Sequence, residues 1–549
     1  MRSLRASTLR ALLALALACT EEDFTPLAPV EDNPHEVFAP TTGKWWDGAV
    51  FYEVFVRSFQ DSNGDGKGDL QGLISRLDYL NDGDPSTTGD LGVDALWLMP
   101  VFASPSYHGY DVTDYETIAP DYGTNADLDA LVAAAHARGM KVIVDLVLNH
   151  TSSQHPWFLD SASSPASAKR GWYVWSATNP GWGQPWGTAQ TWYALNGAYY
   201  YGLFWSGMPD LNFLDPEVRA EAERIAKLWL GHGVDGFRLD AIRYLVEDGP
   251  AAGQADTPET HAYLKELAAQ VRGANPDAAL VGEVWTDPRT IASYYGNIGA
   301  VPGGDEIPMN FDFPLADAIV RGVGDQNAAA IGLALATTRD LFPAGTTGAP
   351  FLTNHDMVRI ASQVGSGAFL RSAAAILLTV PGSPFIYYGE ELGMQNGPTG
   401  NDEAKRLPMA WDASSTAGFT TGTPWYPLPP GYQATNVAAE TGDPSSLLSR
   451  YRQLIRARAL SPALAHGGIR ILSSMTAAST LLAFIRYHPQ DRVLVAHNLQ
   501  DGPVTSPAYA IAGTLEPLFV DDGGGANGGS GSWTVTLPPR GTGIWRIRQ

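Results

Sequence analysis

Cysteine is almost absent from this sequence, because the 549 residues include only Cys19. A single thiol excludes an intramolecular disulfide and a zinc site built from cysteines. Basic residues are also scarce: 35 Lys and Arg stand against 58 Asp and Glu, which gives a formal net charge of −23. Such an acidic chain repels phosphate backbones, so we expect no nucleic-acid partner.

Long apolar runs are missing as well. Residues 11–18 read ALLALALA and follow a stretch with three arginines and no acid, which is typical of a secretory signal and too short for a membrane span. Ala18-Cys19 resembles a bacterial lipoprotein cleavage site, at which the cysteine is lipidated. We therefore expect a lipoprotein-type signal peptide over residues 1–19 and export to the cell surface or periplasm. Ordinary secretion with removal of Cys19 is the alternative.

An acidic, proline-containing segment follows the signal. Residues 20–43 contain no Lys or Arg, a composition that predicts a solvated tether. We expect a monomer that is soluble beyond the anchor and touches a membrane only there.

Buried strands alternate with helices over most of the chain. Their apolar runs are continuous, which indicates a parallel sheet covered on both faces. Helix starts at Asp215-Pro216 and Thr257-Pro258 lie between them. This alternation predicts a (β/α)₈ barrel, with catalytic residues at the C-terminal ends of its strands. The predicted strands lie in residues 49–59, 94–101, 141–150, 236–241, 278–285, 310–313, 350–356 and 383–391.

Two segments depart from this alternation. Residues 151–210 have no helical period and hold seven of the 16 tryptophans, so we expect an inserted domain after the third strand. Residues 465–549 contain short strands and glycine-rich turns, typical of an antiparallel β-sandwich. The barrel is then expected over residues 44–150 and 211–464. The GGGANGGSG run at 523–531 is interpreted as a hairpin loop.

Polar side chains follow several of the predicted strands, where a barrel would bring them to one mouth. One acid alone would indicate a structural ion pair, but acids on three strands indicate a site. Glycosidic cleavage needs two of them: one acid protonates the leaving oxygen, and one carboxylate attacks or stabilises the sugar. An adjacent arginine keeps such a nucleophile ionised. The strand-end residues are Asp145, Asn149, His150, Arg238, Asp240, Glu283, His355 and Asp356.

Motifs of other hydrolases and of phosphate-binding proteins are not found, since the sequence has no GxSxG, HExxH or GxxxxGK[ST]. At the strand-end residues the sequence resembles the α-amylase family, glycoside hydrolase family 13, over roughly residues 44–549. The matching segments, in chain order, are SYHGYDVTDY (106–115), DLVLNH (145–150), MPDLN (208–212), GFRLDAIRY (236–244), GEVW (282–285) and FLTNHD (351–356).

The resemblance implies a role for each site residue. Asp240 is the nucleophile, Glu283 the general acid/base, and Asp356 binds two sugar hydroxyls and helps to distort the ring. Arg238 holds Asp240. His150 and His355 bind hydroxyls of the same sugar with His108 nearby, and Tyr110 stacks under the ring.

Two places are candidate calcium sites. The loop DSNGDGKGD (61–69) presents Asp61, Asn63, Asp65 and Asp69, alternate oxygens that suit a hard cation, and Lys67 within it is a further candidate ligand position. Gly72 replaces the glutamate of a full EF-hand, and a simple acidic turn is the alternative. The resemblance implies a second calcium between barrel and insertion, bound by Asn149 and Asp210. At a position that the resemblance assigns to this second site, Tyr244 occurs where many amylases have His.

The finer specificity follows from two details. MPDLN resembles the family's intermediate group, between oligo-1,6-glucosidases and neopullulanases, and the small Ala241 after the nucleophile favours α-1,4 over α-1,6 cleavage. We expect a retaining α-amylase acting on starch and maltooligosaccharides. The alternatives are a neopullulanase, cyclomaltodextrinase or α-glucosidase-like enzyme with transglycosylation, and an inactive sugar-binding protein.

Overall fold

The computed structural model describes residues 43–365, 367–472, 476, 479–529 and 531–548. The predicted signal peptide, Cys19 and all of the tether up to residue 42 lie outside the described residues. Within the described part of the chain, no helix has both the length and the apolar character that crossing a membrane requires.

A parallel sheet forms the centre of the molecule. Consecutive strands are neighbours in the sheet, and the eighth pairs with the first, with Phe51 opposite Phe385. A parallel bridge between Phe351 and Phe385 closes the remaining gap, which confirms the (β/α)₈ barrel. The strands are β1 (Phe51–Val54), β2 (Ala95–Leu98), β3 (Lys141–Leu146), β4 (Gly236–Leu239), β5 (Ala279–Gly282), β6 (Met309–Phe311), β7 (Thr347–Ala349) and β8 (Phe385–Tyr387).

Helices cover the outside of the barrel. Both predicted helix starts are confirmed, because the side chains of Asp215 and Thr257 accept hydrogen bonds from first-turn N–H groups. The longer helices are Asn125–His136, Pro216–Gly231, Pro258–Ala274, Phe313–Gly324, Ala328–Leu341, Ala368–Leu377 and Leu447–Ala459. The shorter ones are Val56–Phe59, Leu70–Ser75, Leu77–Leu80, Pro156–Ser163, Pro288–Ser293, Ile360–Val364, Val437–Glu440 and Pro462–His466.

Large apolar side chains fill the inside of the barrel. Phe51 stacks on Phe385 with ring centroids 4.3 Å apart, and Trp97 packs against Phe311 at 5.5 Å. The barrel is therefore a packed core and not a channel, and polar side chains are left for its rim.

The seventh strand lies earlier than the sequence predicts. β7 ends at Ala349, whereas the apolar run was expected to form a strand over 350–356. Pro350 has no N–H to donate to a ladder, so regular pairing stops there. The residues after it form the loop that carries His355 and Asp356 to the barrel mouth.

The insertion, residues 151–210, contains a helix that the sequence pattern did not indicate. Pro156–Ser163 is capped by His155, whose ring nitrogen accepts from the N–H of Trp157 at 3.1 Å. The insertion also contains a 3₁₀ turn, Arg170–Trp172, and a small antiparallel sheet. Its strands are Trp175–Ser176, Trp192–Leu195 and Ala198–Tyr201.

The C-terminal part consists of two antiparallel sheets, which confirms the predicted β domain. Within the glycine run at 523–531, which was interpreted as a hairpin loop, Gly525–Gly529 is itself a strand that pairs with Ser532–Leu537. The five-stranded sheet contains Gly468–Ile471, Leu481–His488, Asp491–Asn498, Thr542–Arg548 and Thr514–Val520. The three-stranded sheet contains Val504–Thr505, Ser532–Leu537 and Gly525–Gly529.

Candidate active site

Three carboxylates line one cavity at the C-terminal mouth of the barrel. Asp240 directly follows β4, Glu283 directly follows β5, and Asp356 lies in the loop after β7. The cavity, called the cleft below, has a volume of about 750 Å³. The structure thus brings the three predicted acids together, because parallel strands present their carboxyl ends on one face.

Arg238 connects the acids from beneath. Its Nη1 donates to Asp240 Oδ1 at 2.7 Å and to Asp145 Oδ1 and Oδ2 at 2.8 and 2.9 Å, while Nη2 lies 2.8 Å from Glu283 Oε2. The guanidinium is buried, so these ion pairs act in a low dielectric. The sequence predicted only the contact with Asp240. The structure shows that one arginine holds Asp240, Asp145 and Glu283 together.

Asp240 and Glu283 both have raised pKa values. Burial raises the pKa of Asp240 to about 6, against the opposing charge of Arg238. Burial raises the pKa of Glu283 to about 7, and the neighbouring charge of Asp240 adds to this effect. Near neutral pH, Asp240 is therefore the carboxylate and Glu283 is the group of the two that more readily holds a proton.

Asp356 lies between two cations. Arg406 Nη2 donates to Asp356 Oδ1 at 2.8 Å, and His355 Nε2 is 3.2 Å from Asp356 Oδ2. Burial acts to raise the pKa of Asp356, but the charges of His355 and Arg406 outweigh it and lower the pKa far below its usual range. Asp356 is thus a permanent anion in the cleft.

His355 is placed differently from the expectation. Its ring is fully buried, with Nδ1 2.6 Å from Glu53 Oε1 and Nε2 2.6 Å from Tyr110 Oη. Both ring nitrogens are therefore taken by protein groups, and His355 positions Asp356 and Tyr110 instead of facing the sugar. Burial acts to lower its pKa, but the carboxylates of Asp356 and Glu53 raise it to about 9.

The other predicted sugar-binding residues line the cleft. Tyr110 Oη donates to Asp145 Oδ2 at 3.0 Å, which fixes its ring at the mouth of the barrel. His150 Nε2 is 3.1 Å from the carbonyl oxygen of Tyr110. Burial lowers the pKa of His150 to about 3 and also lowers that of His108, so both rings are neutral at pH 7.

Several cleft residues were not predicted from the sequence. The aromatic ones are Trp186, Phe204, Trp205, Tyr244 and Trp285, and the charged ones are Arg243, Asp402 and Arg406. Trp285 is the last residue of the matched segment GEVW (282–285), so its place at a strand end was visible. Arg406 follows no strand, and nothing in its local sequence indicates that it reaches Asp356.

A family model described as the catalytic domain of alpha-amylases matches residues 53–467 of this chain. The chain belongs to the α-amylase family, glycoside hydrolase family 13. The resemblance seen in the sequence is thereby confirmed, and the chain is a glycoside hydrolase of that family. Of the residues expected at the strand ends, His150, Asp240, Glu283 and Asp356 line the cleft.

Relatives within the family differ in their named activities. Alpha-amylase 3 of Dictyoglomus thermophilum is 42% identical over 462 residues, which cover 83% of this chain and 85% of that protein. A probable alpha-glucosidase of Rhizobium meliloti is 34% identical over 537 residues, with 86% and 92% covered. The crystal structure of alpha-amylase from H. orenii superposes with a TM-score of 0.81 at 39% identity, covering 91% of this chain and 100% of that one.

Tryptophans of the insertion fall into two groups. Trp192 is 4% exposed and packs edge-on against Trp182 with ring centroids 5.4 Å apart, beside Tyr201. Trp186 and Trp205 are 52% and 51% exposed and line the cleft. Some tryptophans of this segment therefore build its core, and others face the cleft.

The loop 61–69 is held by its own hydrogen bonds. Asp61 Oδ1 accepts from the N–H groups of Asn63 and Gly64 at 2.9 and 2.8 Å, and Oδ2 accepts from Gly66 N–H at 2.8 Å and from the Thr420 hydroxyl. Burial acts to raise the pKa of Asp61, but these hydrogen bonds outweigh it and lower the pKa.

The remaining candidate ligands of this loop are similarly engaged. Asn63 and Asp65 each accept from an N–H two residues ahead, at 2.9 and 2.8 Å, and Asp69 Oδ1 accepts from Gly72 N–H at 2.7 Å. The Lys67 ammonium is itself a cation and pairs with Asp121 at 2.7 Å. Lys67 could therefore offer a metal ion only its main-chain oxygen. Within the described ranges, no three His, Cys, Asp or Glu side chains are grouped to hold a metal ion.

The second candidate site fits a cation better. Asn149 Oδ1 is buried without a hydrogen-bond partner, while Asn149 Nδ2 donates to Asp210 Oδ2 at 2.9 Å. Burial raises the pKa of Asp210 to about 7, and burial together with the charge of Asp210 raises that of Glu247 to about 8. Asn149 thus offers an orphaned amide oxygen and pairs with Asp210, whose charge acts on Glu247, and oxygen donors of this kind are what a hard cation prefers.

Proposed function

We propose that this enzyme is a retaining α-glucan hydrolase of the α-amylase type, which cleaves α-1,4-glucosidic bonds of starch and maltooligosaccharides. The observation that carries the proposal is the shared guanidinium of Arg238, which holds Asp240 beside Glu283. Burial raises the pKa of Asp240 to about 6 and that of Glu283 to about 7. A nucleophile and an acid with separated pKa values are the pair that double displacement needs.

The proposed reaction has two displacements. In the first, an Asp240 oxygen bonds to the anomeric carbon, the glycosidic bond breaks, and Glu283 gives its proton to the leaving oxygen. In the second, Glu283 takes a proton from water, the water oxygen bonds to the anomeric carbon, and the ester to Asp240 breaks. Asp356, held as an anion by Arg406 and His355, binds hydroxyls of the same sugar.

The α-1,4 preference rests on Ala241 and on the relatives. Ala241 is a small residue in the cleft directly after Asp240, and the relative named alpha-amylase 3 is 42% identical. Product analysis with maltoheptaose, pullulan and cyclodextrin tests the preference. Rapid internal cleavage of maltoheptaose with slower use of pullulan supports an α-amylase, whereas preferential opening of cyclodextrin or pullulan contradicts it.

An α-glucosidase-like enzyme is the second candidate. It is favoured by the charged end of the cleft, where Arg406 and Asp402 lie beside Asp356, and by the relative named probable alpha-glucosidase. Release of single glucose units from the chain end of maltoheptaose is the result that selects this candidate. Absence of all cleavage, with sugar binding retained, selects an inactive sugar-binding protein.

We propose calcium as the structural cofactor, foremost at Asn149 and Asp210 with Glu247 close by. Asn149 follows β3 and its carbonyl oxygen accepts from Leu211 N–H at 2.9 Å, so a cation here would tie the insertion to the barrel. The loop with Asp61, Asn63, Asp65, Lys67 and Asp69 is the second proposed site. Both would add stability, and neither supplies an atom that reacts.

We also propose export as a lipoprotein anchored through Cys19, with the enzyme at the cell surface or in the periplasm. Two or three acyl chains are enough for stable anchoring, where one is marginal. Expression of Cys19→Ser should release active enzyme into the soluble fraction. Fully soluble wild-type enzyme with a mature terminus downstream of Cys19 would contradict the anchor and support ordinary secretion.

A further inference from the structure

A buried carboxylate on the first barrel strand has no part in the reaction steps proposed above. Glu53 is the third residue of β1 and is buried. Removal of a carboxylate from water is unfavourable unless a cation compensates it. Among the ion pairs of the described residues, the one that includes Glu53 joins its Oε1 to His355 Nδ1 at 2.6 Å. Glu53 is thereby connected to a residue that reaches the cleft.

His355 links this carboxylate to two side chains of the cleft. Its Nε2 lies 2.6 Å from Tyr110 Oη and 3.2 Å from Asp356 Oδ2. Neither oxygen has a hydrogen to give to that nitrogen, because Tyr110 donates its own to Asp145 Oδ2 at 3.0 Å and Asp356 is ionised. Nε2 must therefore carry a hydrogen, which the two oxygens share.

The other ring nitrogen must carry a hydrogen as well. The Glu53 carboxylate can only accept, so Nδ1 donates to it. His355 is thus an imidazolium that donates from both sides. Burial acts to lower its pKa, but the charges of Asp356 and Glu53 raise it to about 9. The ionisable groups that face the ring or hold its partners are Glu53, Tyr110, Asp145, Asp356, Arg238 and Arg406.

Loss of the charge on Glu53 would change this arrangement, because a neutral His355 has one ring hydrogen and one bare nitrogen. If Nε2 is bare, the Tyr110 hydrogen is drawn away from Asp145, and Asp356 faces a lone pair instead of a donor. If Nδ1 is bare, Asp356 keeps its hydrogen bond but loses the opposite charge. Either change weakens the hold of His355 on Asp356.

We propose that Glu53 is a positioning residue of the cleft, which fixes Asp356 and Tyr110 by holding His355 as a double donor. The inference rests on the proposed function, in which Asp356 binds hydroxyls of the sugar that reacts. Glu53 does not line the cleft, so it acts only through His355. Contacts that strengthen in the transition state affect kcat more than KM, and the contacts of Asp356 with the distorted sugar are of this kind.

The first test measures the pH dependence of unfolding in Glu53→Gln, which removes the charge and keeps the size of the side chain. Stabilisation by His355 is lost as pH rises through its folded pKa, so a lower folded pKa moves this loss to lower pH. We expect the free energy of unfolding to begin its decrease about one pH unit lower than in wild type, the effect of one nearby opposite charge. An unchanged pH dependence overturns the inference.

The second test uses Glu53→Leu, which removes the acceptor as well. We expect kcat on maltoheptaose to fall about tenfold with little change in KM, as the loss of a hydrogen bond to a charged group predicts. In a His355→Gln background the same substitution should cost little more. An unchanged kcat, or full additivity of the two losses, overturns the inference. If Glu53→Leu does not fold, the ratio of kcat in Glu53→Gln to kcat in wild type decides, and it should fall between pH 7 and pH 9.

Glu306→Gln is the matched control. Glu306 Oε2 pairs with His261 Nδ1 at 2.7 Å, and Glu306 is also buried, but it precedes β6 and does not line the cleft. Its kcat should equal that of wild type, and a fall as large as that of the Glu53 variants overturns the inference. If wild type cleaves no glucan, the proposed function fails, whereas the unfolding test still decides whether Glu53 holds the charge of His355.

Discussion

Arg406 donates to Asp356 from a position that is almost completely buried, with only 3% of the arginine exposed. The same guanidinium donates through Nε to the carbonyl oxygen of His355 at 3.1 Å. Arg406 thus fixes both the charge and the place of Asp356, although the two residues lie 50 positions apart in the chain.

Replacement of Arg406 should disturb catalysis more than folding. In Arg406→Met the carboxylate of Asp356 loses its hydrogen-bonded partner at 2.8 Å and can rotate within the cleft. We expect kcat/KM on maltoheptaose to fall at least about tenfold, since a buried charge pair contributes a few kcal/mol to the position of its members. Thermal unfolding measured in parallel checks the fold. Unchanged kcat/KM in a folded variant would contradict this role.

The pKa values of the catalytic pair predict a narrow pH optimum. Activity requires Asp240 without its proton and Glu283 with its proton, and their pKa values are raised to about 6 and about 7 by burial. The profile of kcat/KM should therefore be bell-shaped, rising with an apparent pKa near 6 and falling with one near 7. The two values belong to the coupled pair. A profile that stays flat from pH 5 to pH 9 would disprove the assignment.

His355 predicts a loss of stability at alkaline pH. Its pKa is raised to about 9 in the folded protein, above the unfolded value of about 6.5. The stabilisation is complete below the unfolded pKa and is lost as pH rises through the folded pKa. The free energy of unfolding should decrease between pH 7 and pH 9.5. In His355→Gln this decrease should be smaller, and an equal decrease in both proteins would show that other groups cause it.

The stereochemistry of the first product tests the double displacement directly. Two inversions at the anomeric carbon return the α configuration. Proton NMR of maltoheptaose hydrolysis should therefore show the α anomer first and the β anomer only through mutarotation. The β anomer as initial product would establish single displacement and remove Asp240 as nucleophile.

Two tryptophans of the insertion should respond oppositely to truncation. Trp192 is buried against Trp182 and Tyr201, so Trp192→Ala should lower the free energy of unfolding by about 3–5 kcal/mol. Trp186 is half exposed in the cleft, so Trp186→Ala should raise KM on long glucans with little effect on kcat or melting temperature. Early melting of both variants, without a change in KM, would make Trp186 a structural residue too.

Calcium should stabilise the enzyme through the junction of barrel and insertion. Added calcium should raise the melting temperature and a chelator should lower it, because the ion binds only the folded state. Asp210→Asn should lose most of this response and Asp65→Ala part of it, with calcium binding measured by calorimetry. Asp317→Asn, an exposed acid on the helix Phe313–Gly324, is the control. Equal responses in all four proteins would argue against both sites.

The sequence predicts those parts of the site that follow regular strands. Asp240 and Glu283 come directly after apolar strands that are buried on both faces. The fold class therefore predicts that both acids lie at the same mouth of the barrel. Arg406 and Asp402 lie in a long connection without periodicity, where only the folded chain shows that they reach the cleft. His355 follows β7 as its position in the sequence indicates, but its burial depends on contacts with Glu53 and Tyr110, which come from other parts of the chain.

Weak local sequence patterns explain the two errors in the predicted secondary structure. β7 consists of Thr, Gly and Ala, which carry little apolar signal, so the more apolar residues after Pro350 were favoured. The helix Pro156–Ser163 is short and has serine at two of its positions, which conceals its periodicity. In both cases the surrounding fold specifies the element more strongly than its own residues do: β7 is held by its neighbouring strands, and the helix by its packing.

The pairing of Phe51 with Phe385 has a consequence for the newly synthesised chain. The first strand leaves the ribosome more than 300 residues before the eighth strand, with which it pairs. The loop around Asp61 is made even longer before Thr420, whose hydroxyl donates to Asp61. A barrel that cannot close until its last strand emerges exposes two unpaired strand edges for most of its synthesis. We therefore expect slow, late folding, with a nascent chain that depends on chaperones until translation is nearly complete.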